Sequence, residues 1–123
     1  MFRTFLKTKL HRATITAADP DYEGSISLDR QMCRAAGLLE FEQVDVLDID
    51  NGARFTTYVI YGEPGQVQVN GAAARLVRSG DLVIVVAYCR LAPEQVSGHS
   101  ARVVLMGPGN VIKSVEDKAI SAP

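Results

Sequence analysis

The fold class follows from residues 44–60, which read VDVLDIDNGARFTTYVI. Apolar and acidic residues alternate along residues 44–49, which is the pattern of a half-buried β-strand. Asn51-Gly52 is a strong sequence signal for a β-hairpin. Residues 54–60 then carry the β-branched and aromatic side chains that are enriched in strands. This stretch therefore predicts two antiparallel strands joined by a tight turn.

The sequence on either side continues the β pattern. Phe5 to Thr16 is rich in β-formers and mixes apolar with basic residues, which predicts a half-exposed strand, and Pro and Asp in residues 18–21 favour a turn. Leu82 to Tyr88 is a continuous apolar run typical of a buried strand. Residues 102–106 and 111–114 flank a Gly-Pro-Gly-Asn turn and form a second hairpin candidate.

Helical signals are few and short. Leu28 to Ala36 has helical spacing of its apolar residues, and Gly37 suits the C-terminal cap of such a helix. Asn70-Gly71 predicts a turn that leads into a short Ala-rich helical piece at residues 72–74. Many short strands with little helix predict a mainly β chain folded as a small β-barrel.

The composition of the chain limits its domain organisation and the kinds of partner it can have. With 123 residues, 47% hydrophobic and 22% charged, the chain is expected to form a single domain, residues 1–123. A net charge of −1 argues against a nucleic-acid partner. No apolar run approaches the roughly 18 residues of a membrane helix, and charges interrupt residues 1–7 too often for a signal peptide. Cys33 and Cys89 form no metal or redox spacing. We expect a cytoplasmic protein with no metal, no nucleic-acid partner and no membrane partner.

Five short motifs follow one another between the N-terminus and residue 86. They are Lys9-Leu10-His11-Arg12, Tyr22-Glu23-Gly24-Ser25, Asn51-Gly52, Arg54-Phe55-Thr56-Thr57-Tyr58 and Val69-Asn70-Gly71-Ala72-Ala73-Ala74. Each motif is weak alone, but in this order and spacing they resemble pyruvoyl-dependent aspartate 1-decarboxylases. The resemblance implies a six-stranded double-psi β-barrel with short helices and a homotetramer with sites between subunits. It also implies decarboxylation of L-aspartate to β-alanine for pantothenate synthesis.

The resemblance identifies Gly24-Ser25 as a bond at which the chain cuts itself into residues 1–24 and 25–123. The Ser25 hydroxyl would attack the Gly24 carbonyl and form an ester. Elimination from that ester leaves dehydroalanine, which hydrolyses to a pyruvoyl group and ammonia. Gly24 tolerates unusual dihedral angles and leaves its carbonyl unshielded, and Thr57 would stabilise the oxyanion. An ordinary turn is the alternative interpretation of a Gly-Ser pair, which often occurs by chance.

Catalytic roles are implied for Ser25 and Tyr58. The pyruvoyl cofactor made from Ser25 would form a Schiff base with the aspartate amine and take up the electrons released with CO₂, a role that pyridoxal phosphate has in other enzymes. Tyr58 carries a phenol O–H that can donate a proton, and it matches the position of the family's proton donor. A strand tyrosine that only packs is the alternative. Neither a metal nor pyridoxal phosphate is implied.

Cations are expected near a substrate that carries two carboxylates. Arg54 would bind by a bidentate pair and Lys9 as a point charge. Holding the departing carboxylate would stabilise the ground state more than neutral CO₂, so both cations are expected to hold the retained carboxylate. A solvated charge on a strand is the alternative for each of them.

The remaining substrate-site residues have two interpretations each. His11 lies on the same strand face as Lys9 and would orient the site or satisfy a buried carbonyl. A run without bulky side chains comprises Asn70, Gly71, Ala72 and Ala73. Its backbone N–H groups would approach a substrate carboxylate, but a turn that starts a helix explains this run equally well.

Thr57 and Tyr58 pose a geometric conflict, because neighbours in a flat strand point to opposite faces. Either a bulge turns one of them, or Thr57 acts from a strand end. Leu47 stands where some relatives have a tryptophan, a difference that bears on packing.

Two other function classes compete with a self-processing lyase. One is an unprocessed, non-catalytic barrel that acts as a binding or assembly module, although a scaffold has no need for Ser25, Lys9, Arg54 and Tyr58 together. The other is a hydrolase that uses Ser25 after the cut with a free N-terminal amine as base. For the lyase, the expected partners are L-aspartate, further copies of the chain and, where the cut is assisted, a maturation factor.

Overall fold

The protein is built mainly from β-strands, as the sequence predicts. The computed structural model describes residues 1–123, and its helices are short. The strands are β1 (Arg3–Thr14), β2 (Ala17–Asp19), β3 (Ser25–Asp29), β4 (Gln43–Asp48), β5 (Arg54–Gly62), β6 (Val67–Asn70), β7 (Leu82–Leu91), β8 (Ser100–Gly107) and β9 (Val111–Ala119). The helices are α1 (Arg30–Ala36) and α2 (Pro93–Val96), and two 3-10 segments cover Gly71–Leu76 and Pro108–Asn110.

The strands form one sheet in the order β2-β6-β3-β5-β4-β7-β1-β8-β9. Parallel pairs join β1 with β8, β2 with β6, and β3 with β5, whereas the remaining neighbours are antiparallel. The sheet therefore has nine strands rather than the six expected, and its end strands are not paired into a ring. The chain between β1 and β2 reaches across to β6, where the Thr16 N–H donates to the Val67 carbonyl at 2.8 Å.

The hairpin predicted from residues 44–60 is confirmed as β4 and β5, which pair without a shift in register. Asp48 stabilises the turn, because its Oδ1 accepts from the backbone N–H groups of Asp50 at 2.8 Å and Asn51 at 3.2 Å. Gly52 has a φ of 76°, a conformation that glycine adopts readily because it has no Cβ.

The helix predicted over residues 28–36 starts too early. Leu28 and Asp29 belong to β3, where Leu28 is fully buried between the paired strands β5 and β6. Asp29 is the N-cap of α1, since its carboxylate accepts from the Gln31 N–H at 2.7 Å. Gly37 ends the helix with a φ of 73°, as predicted. Leu28 thus fits the apolar spacing of a helix and also that of a strand, and only its pairing with β5 and β6 decides between the two assignments.

Other boundaries differ in the same way. Strands β7 and β9 extend beyond the predicted ranges 82–88 and 111–114, and β6 was not predicted. Residues 18–19 lie in β2 rather than in the predicted turn. No helix of this structure has the length and apolar character needed to span a bilayer.

The core lies on one face of the sheet and under α1, and valines contribute nine of its 21 side chains. A bulge at Arg12, which has a φ of 69°, shifts the register of β1 between His11 and Ala13. Leu10 and Ala13 are therefore both buried, although they are three residues apart in one strand.

Candidate active site

Ser25 is the first residue of β3 and lies in a buried polar cluster. It pairs with Asn70 of β6, and the two residues are 2% and 1% exposed. Asn70 Nδ2 donates to Ser25 Oγ at 2.9 Å and to Ser27 Oγ at 3.1 Å. Ser25 Oγ in turn donates to the Glu23 carbonyl at 3.4 Å. The hydroxyl expected to attack is thus held on both sides, directly after Gly24.

A chain of side-chain amides leads along β6 to Ser25. Gln66 Nε2 donates to Gln68 Oε1 at 3.2 Å, and Gln68 Nε2 donates to Asn70 Oδ1 at 2.8 Å. These bonds fix the orientation of the Asn70 amide, so that its nitrogen faces the serine hydroxyls. The sequence analysis did not identify Gln66, Gln68 or Ser27. The signal was available in residues 66–70, where polar residues alternate with valines.

Gly71 packs directly against the expected cut site. Its φ is 78°, and a Cβ at this position would lie 2.6 Å from the Gly24 Cα and 2.9 Å from the Gly24 nitrogen. A side chain there would displace the segment that precedes Ser25. Gly71 begins a 3-10 segment in which Ala72 is exposed and Ala73 is half-buried. Gly71 therefore packs beside the expected cut site, at the turn where Asn70 leads into the 3-10 segment.

Tyr58 stands at the level of Ser25 on the neighbouring strand. Ile26 of β3 pairs with Val59 of β5, so Ser25 and Tyr58 each precede that pair by one residue and share a face of the sheet. The Tyr58 side chain is 38% exposed and makes no side-chain hydrogen bond within the chain, and its ring lies 6.4 Å from the ring of Phe41. Phe41 is a neighbour that no sequence motif indicated.

Thr57 points to the other face. It is paired with the buried Val44, whereas Tyr58 is paired with the exposed Gln43. The register of β4 and β5 is unbroken from Arg54 to Tyr58, so the bulge considered from the sequence is absent. Thr57 also lies in the middle of β5 rather than at a strand end. The side chains therefore alternate along a regular strand, and neither a bulge nor a strand end brings Thr57 and Tyr58 to one face.

Lys9 and His11 share the face of Arg54 and Tyr58 but lie on a distant strand. A line of paired residues runs across the sheet from His11 to Arg54. His11 of β1 lies opposite a residue of β7, which lies opposite a residue of β4, which in turn lies opposite Arg54 of β5. Four strand spacings separate β1 from β3, which is about 19 Å along the sheet. Arg54 lies about 13 Å along β5 from Tyr58. One chain therefore collects Ser25, Asn70 and Tyr58 but holds the three basic residues apart from them.

A separate cavity of about 250 Å³ contains Lys9 and His11, together with Glu116 and Lys118 of β9. Burial, and then the charges of Lys9 and Arg12, lower the pKa of His11. The ring is consequently neutral at neutral pH. Its Nδ1 is buried without a hydrogen-bond partner, so His11 does not satisfy a carbonyl through this atom.

One cluster of carboxylates has a spacing that would suit a cation. Oxygens of Asp48, Asp50 and Asp81 lie within 4.8 Å of one another at the end of the β4–β5 hairpin. Burial and a hydrogen bond with Asp81 raise the pKa of Asp48, while the same hydrogen bond lowers the pKa of Asp81. This pattern describes two carboxyl groups that share a proton, which removes one of their two negative charges without an ion.

Comparisons with known proteins give a consistent result. Residues 1–113 match the family model described as aspartate decarboxylase. An aspartate 1-decarboxylase of Caulobacter vibrioides is 57% identical over 115 residues, which cover 92% of this chain and 98% of that protein. The aspartate 1-decarboxylase of Phenylobacterium zucineum is 56% identical over the same shares of the two chains. That of Clostridium acetobutylicum is 47% identical over 95% of this chain and 94% of its own.

Proposed function

Because this chain belongs to the aspartate decarboxylase family, we propose that it removes the α-carboxylate of L-aspartate and releases β-alanine and CO₂. The β-alanine would supply pantothenate synthesis. The observation that carries the proposal is the buried Ser25 hydroxyl, which Asn70 and the Glu23 carbonyl hold directly after Gly24. The free thiols of Cys33 and Cys89 fit the reducing cytoplasm in which we place the enzyme.

We propose that the chain first cuts itself between Gly24 and Ser25. Ser25 Oγ attacks the Gly24 carbonyl carbon, the C–N bond breaks, and the Gly24 acyl group passes to the oxygen. Elimination of the Gly24 carboxylate leaves a dehydroalanine, and one water converts it to a pyruvoyl group with loss of ammonia. Hydrogen bonds on both sides of Ser25 Oγ favour this step because they fix the attacking atom. Thr57 would have to support the oxyanion from the opposite sheet face.

The site fits a pyruvoyl group at residue 25, because the position is enclosed, bordered by Gly71 and supplied with an amide donor from Asn70. Such a group supplies a ketone that binds the substrate amine and an electron sink for the carboxylate's departure. Tyr58, on the same face at the same level of the next strand, then delivers the proton to the α-carbon.

Lys9 and Arg54 would hold the retained side-chain carboxylate, with His11 as a neutral neighbour of Lys9. They share one face of the sheet, but within one chain they lie apart from Ser25 and Tyr58, so this role requires a site that another copy completes. Arg54→Ala should raise KM for aspartate at least about tenfold, since a charge-assisted bidentate contact is lost, and Arg54→Lys should raise it less. An unchanged KM in Arg54→Ala would refute the assignment.

We further propose a homotetramer with active sites between subunits. The separation of β1 from β3 supports it, because Lys9 then meets the Ser25 of another copy more readily than its own. Large exposed apolar side chains are available for the contacts, among them Phe2, Tyr22, Phe41, Tyr88 and Val111. Within each subunit, the parallel pairs β1–β8 and β3–β5 are compatible with the double-psi barrel expected from the resemblance.

Mixed oligomers test the shared site. Chains carrying Lys9→Ala and chains carrying Ser25→Ala should each be inactive alone. Co-expression of the two variants should restore part of the activity, because one interface then combines an intact Lys9 with an intact Ser25. No recovery, although mass spectrometry shows that the oligomers are mixed, would place the whole site within one chain.

Turnover tests the function itself. Purified protein incubated with ¹⁴C-labelled aspartate should release labelled CO₂ and form β-alanine, and Ser25→Ala should do neither. An uncut protein that becomes active only after addition of cell extract would indicate a maturation factor. A protein that remains uncut and inactive would favour the non-catalytic module, and a cut chain that retains the Ser25 amine would favour the hydrolase.

A further inference from the structure

Phe41 has a backbone conformation that its residue type disfavours. Three non-glycine residues have positive φ values, namely Arg12, Phe41 and Asn110. Arg12 occupies the bulge of β1, and asparagine tolerates this conformation. Phe41, at a φ of 70°, lies in the turn that the Glu42 N–H closes on the Leu39 carbonyl at 3.2 Å, but its bulky side chain suits this conformation poorly. Strain of this kind persists only where surrounding contacts enforce it, and it often marks a functional position.

The surrounding contacts bind the Phe41 segment to β5 immediately after Tyr58. The Phe41 N–H donates to the Val59 carbonyl at 2.7 Å, and the Val59 N–H donates to the Glu42 carbonyl at 3.0 Å. The side chain of Glu42 also accepts from Lys7 and from the Leu39 N–H. The backbone of residue 41 is therefore fixed by two strands and a loop.

Burial does not explain the choice of phenylalanine, because the side chain is 71% exposed. Its aromatic partner is Tyr58, with ring centroids 6.4 Å apart and an interplanar angle of 56°, a separation and tilt within the range that aromatic pairs favour. Tyr58 has no side-chain hydrogen bond within the chain to fix its ring. The Phe41 ring is the aromatic contact available to restrict it.

We propose that Phe41 is a positioning residue that orients the Tyr58 ring for proton delivery, and that the positive φ serves to bring its ring to Tyr58. This inference rests on the role of Tyr58 in the proposed function. A ring free to turn would spend only part of its time aimed at the substrate carbon. Proton transfer would then become slower while aspartate binding stayed the same.

The test compares Phe41→Asn with Phe41→Tyr and with Leu39→Ala. Asparagine suits the backbone conformation, so Phe41→Asn removes the ring without adding strain. Tyrosine keeps the ring, and Leu39 is an equally exposed apolar residue of the same loop, at 68%. We expect Phe41→Asn to lower kcat about tenfold, a fraction of what general acid catalysis contributes. KM should stay unchanged, and both comparison variants should stay within about twofold of the wild type.

Two further readouts separate positioning from a structural role. In Phe41→Asn the solvent deuterium isotope effect on kcat should increase, because proton transfer becomes rate-limiting. In protein with ¹³C-labelled tyrosine, the Tyr58 ring resonance should move in Phe41→Asn and remain in place in Leu39→Ala. The chain has four tyrosines, so Tyr58→Phe assigns the resonance.

Unchanged kcat in Phe41→Asn with an active wild type would overturn this inference and leave the proposed function intact. A lower kcat that accompanies dissociation of the oligomer, seen by light scattering, would overturn it in favour of an interface role for Phe41. A wild-type protein that is cut but does not turn over aspartate would overturn the inference and the proposed function together.

Discussion

Asp48→Asn is expected to stabilise the protein at alkaline pH. Asp48 is 2% exposed, and no N–H or O–H of another residue donates to its buried Oδ2, so its hydrogen bond with the adjacent Asp81 requires a proton on one of the two carboxyl groups. Burial, and then the hydrogen bond with Asp81, raise the pKa of Asp48, so folding favours its protonated form. That contribution to the free energy of unfolding is full below the ordinary pKa of 3.8 and is lost as the pH rises through the raised pKa.

The opposite sign applies to Asp81, whose pKa is lowered by its hydrogen bond with Asp48. Its contribution is present above 3.8 and is lost as the pH falls through the lowered pKa. The pair is therefore most favourable between the two folded pKa values. At higher pH the wild type must either keep this proton or hold a buried charge on Asp48 beside the charge of the partly exposed Asp81.

An asparagine at residue 48 keeps Oδ1 for the N–H groups of Asp50 and Asn51 and replaces Oδ2 with a donor aimed at Asp81. A hydrogen bond to a charged group contributes about 1.5–3 kcal/mol. We therefore expect Asp48→Asn to raise the free energy of unfolding by about 2 kcal/mol at about pH 8. At about pH 5 the gain should be smaller, because that pH lies closer to the raised pKa of Asp48 and a larger fraction of Asp48 carries the proton that already makes this bond.

Urea denaturation in the uncleaved Ser25→Ala background, at one protein concentration and at both pH values, measures the difference. Asp45→Asn is the control, because Asp45 lies in the same strand and its carboxylate accepts from Thr56 at an exposed position. The control should change stability by less than about 0.5 kcal/mol. A loss of stability in Asp48→Asn, or an equal gain at both pH values, would refute the shared-proton argument.

Two predictions concern the cut site. Gly71→Ala should abolish self-cleavage, because the new Cβ would lie 2.6 Å from the Gly24 Cα. Gly65→Ala is the control, because Gly65 has a similar φ of 77° but open space around it. This control variant should carry only backbone strain and should be cleaved normally. Electrophoresis under denaturing conditions measures the cleaved fraction of both variants. Equal cleavage in the two would exclude a steric role for Gly71. Asn70→Ala should slow cleavage about tenfold or more because Ser25 Oγ loses its fixed donor. A time course that matches the wild type would show that this contact is not needed.

Local patterns sufficed for the parts of the fold that depend on neighbours in sequence. The Asn51-Gly52 hairpin and the Gly37 cap were confirmed because both are set by the backbone conformation of a few consecutive residues. The opposite directions of Thr57 and Tyr58 also follow from strand alternation alone. By contrast, Leu28 suits a helix and a strand equally, and its pairing with residues far along the chain decides between them.

The arrangement of the candidate site depends on strand order, which local sequence does not encode. Lys9 and Ser25 are only 16 positions apart in the chain, yet the sheet places β5, β4 and β7 between their strands. The contact of Phe41 with Tyr58 likewise arises from a loop that folds back onto β5. The buried amide chain that ends at Ser25 was accessible in principle, because the alternation of residues 66–70 marks a strand with one polar face.

The intact mass of the purified protein under denaturing conditions tests the central claim most directly. We expect two chains, residues 1–24 and 25–123, with the second lighter by one ammonia than a chain that starts with serine. Reduction with borohydride in the presence of aspartate should then add the substrate covalently to the second chain alone. A single uncut chain, or a second chain that keeps its amine, would contradict the account.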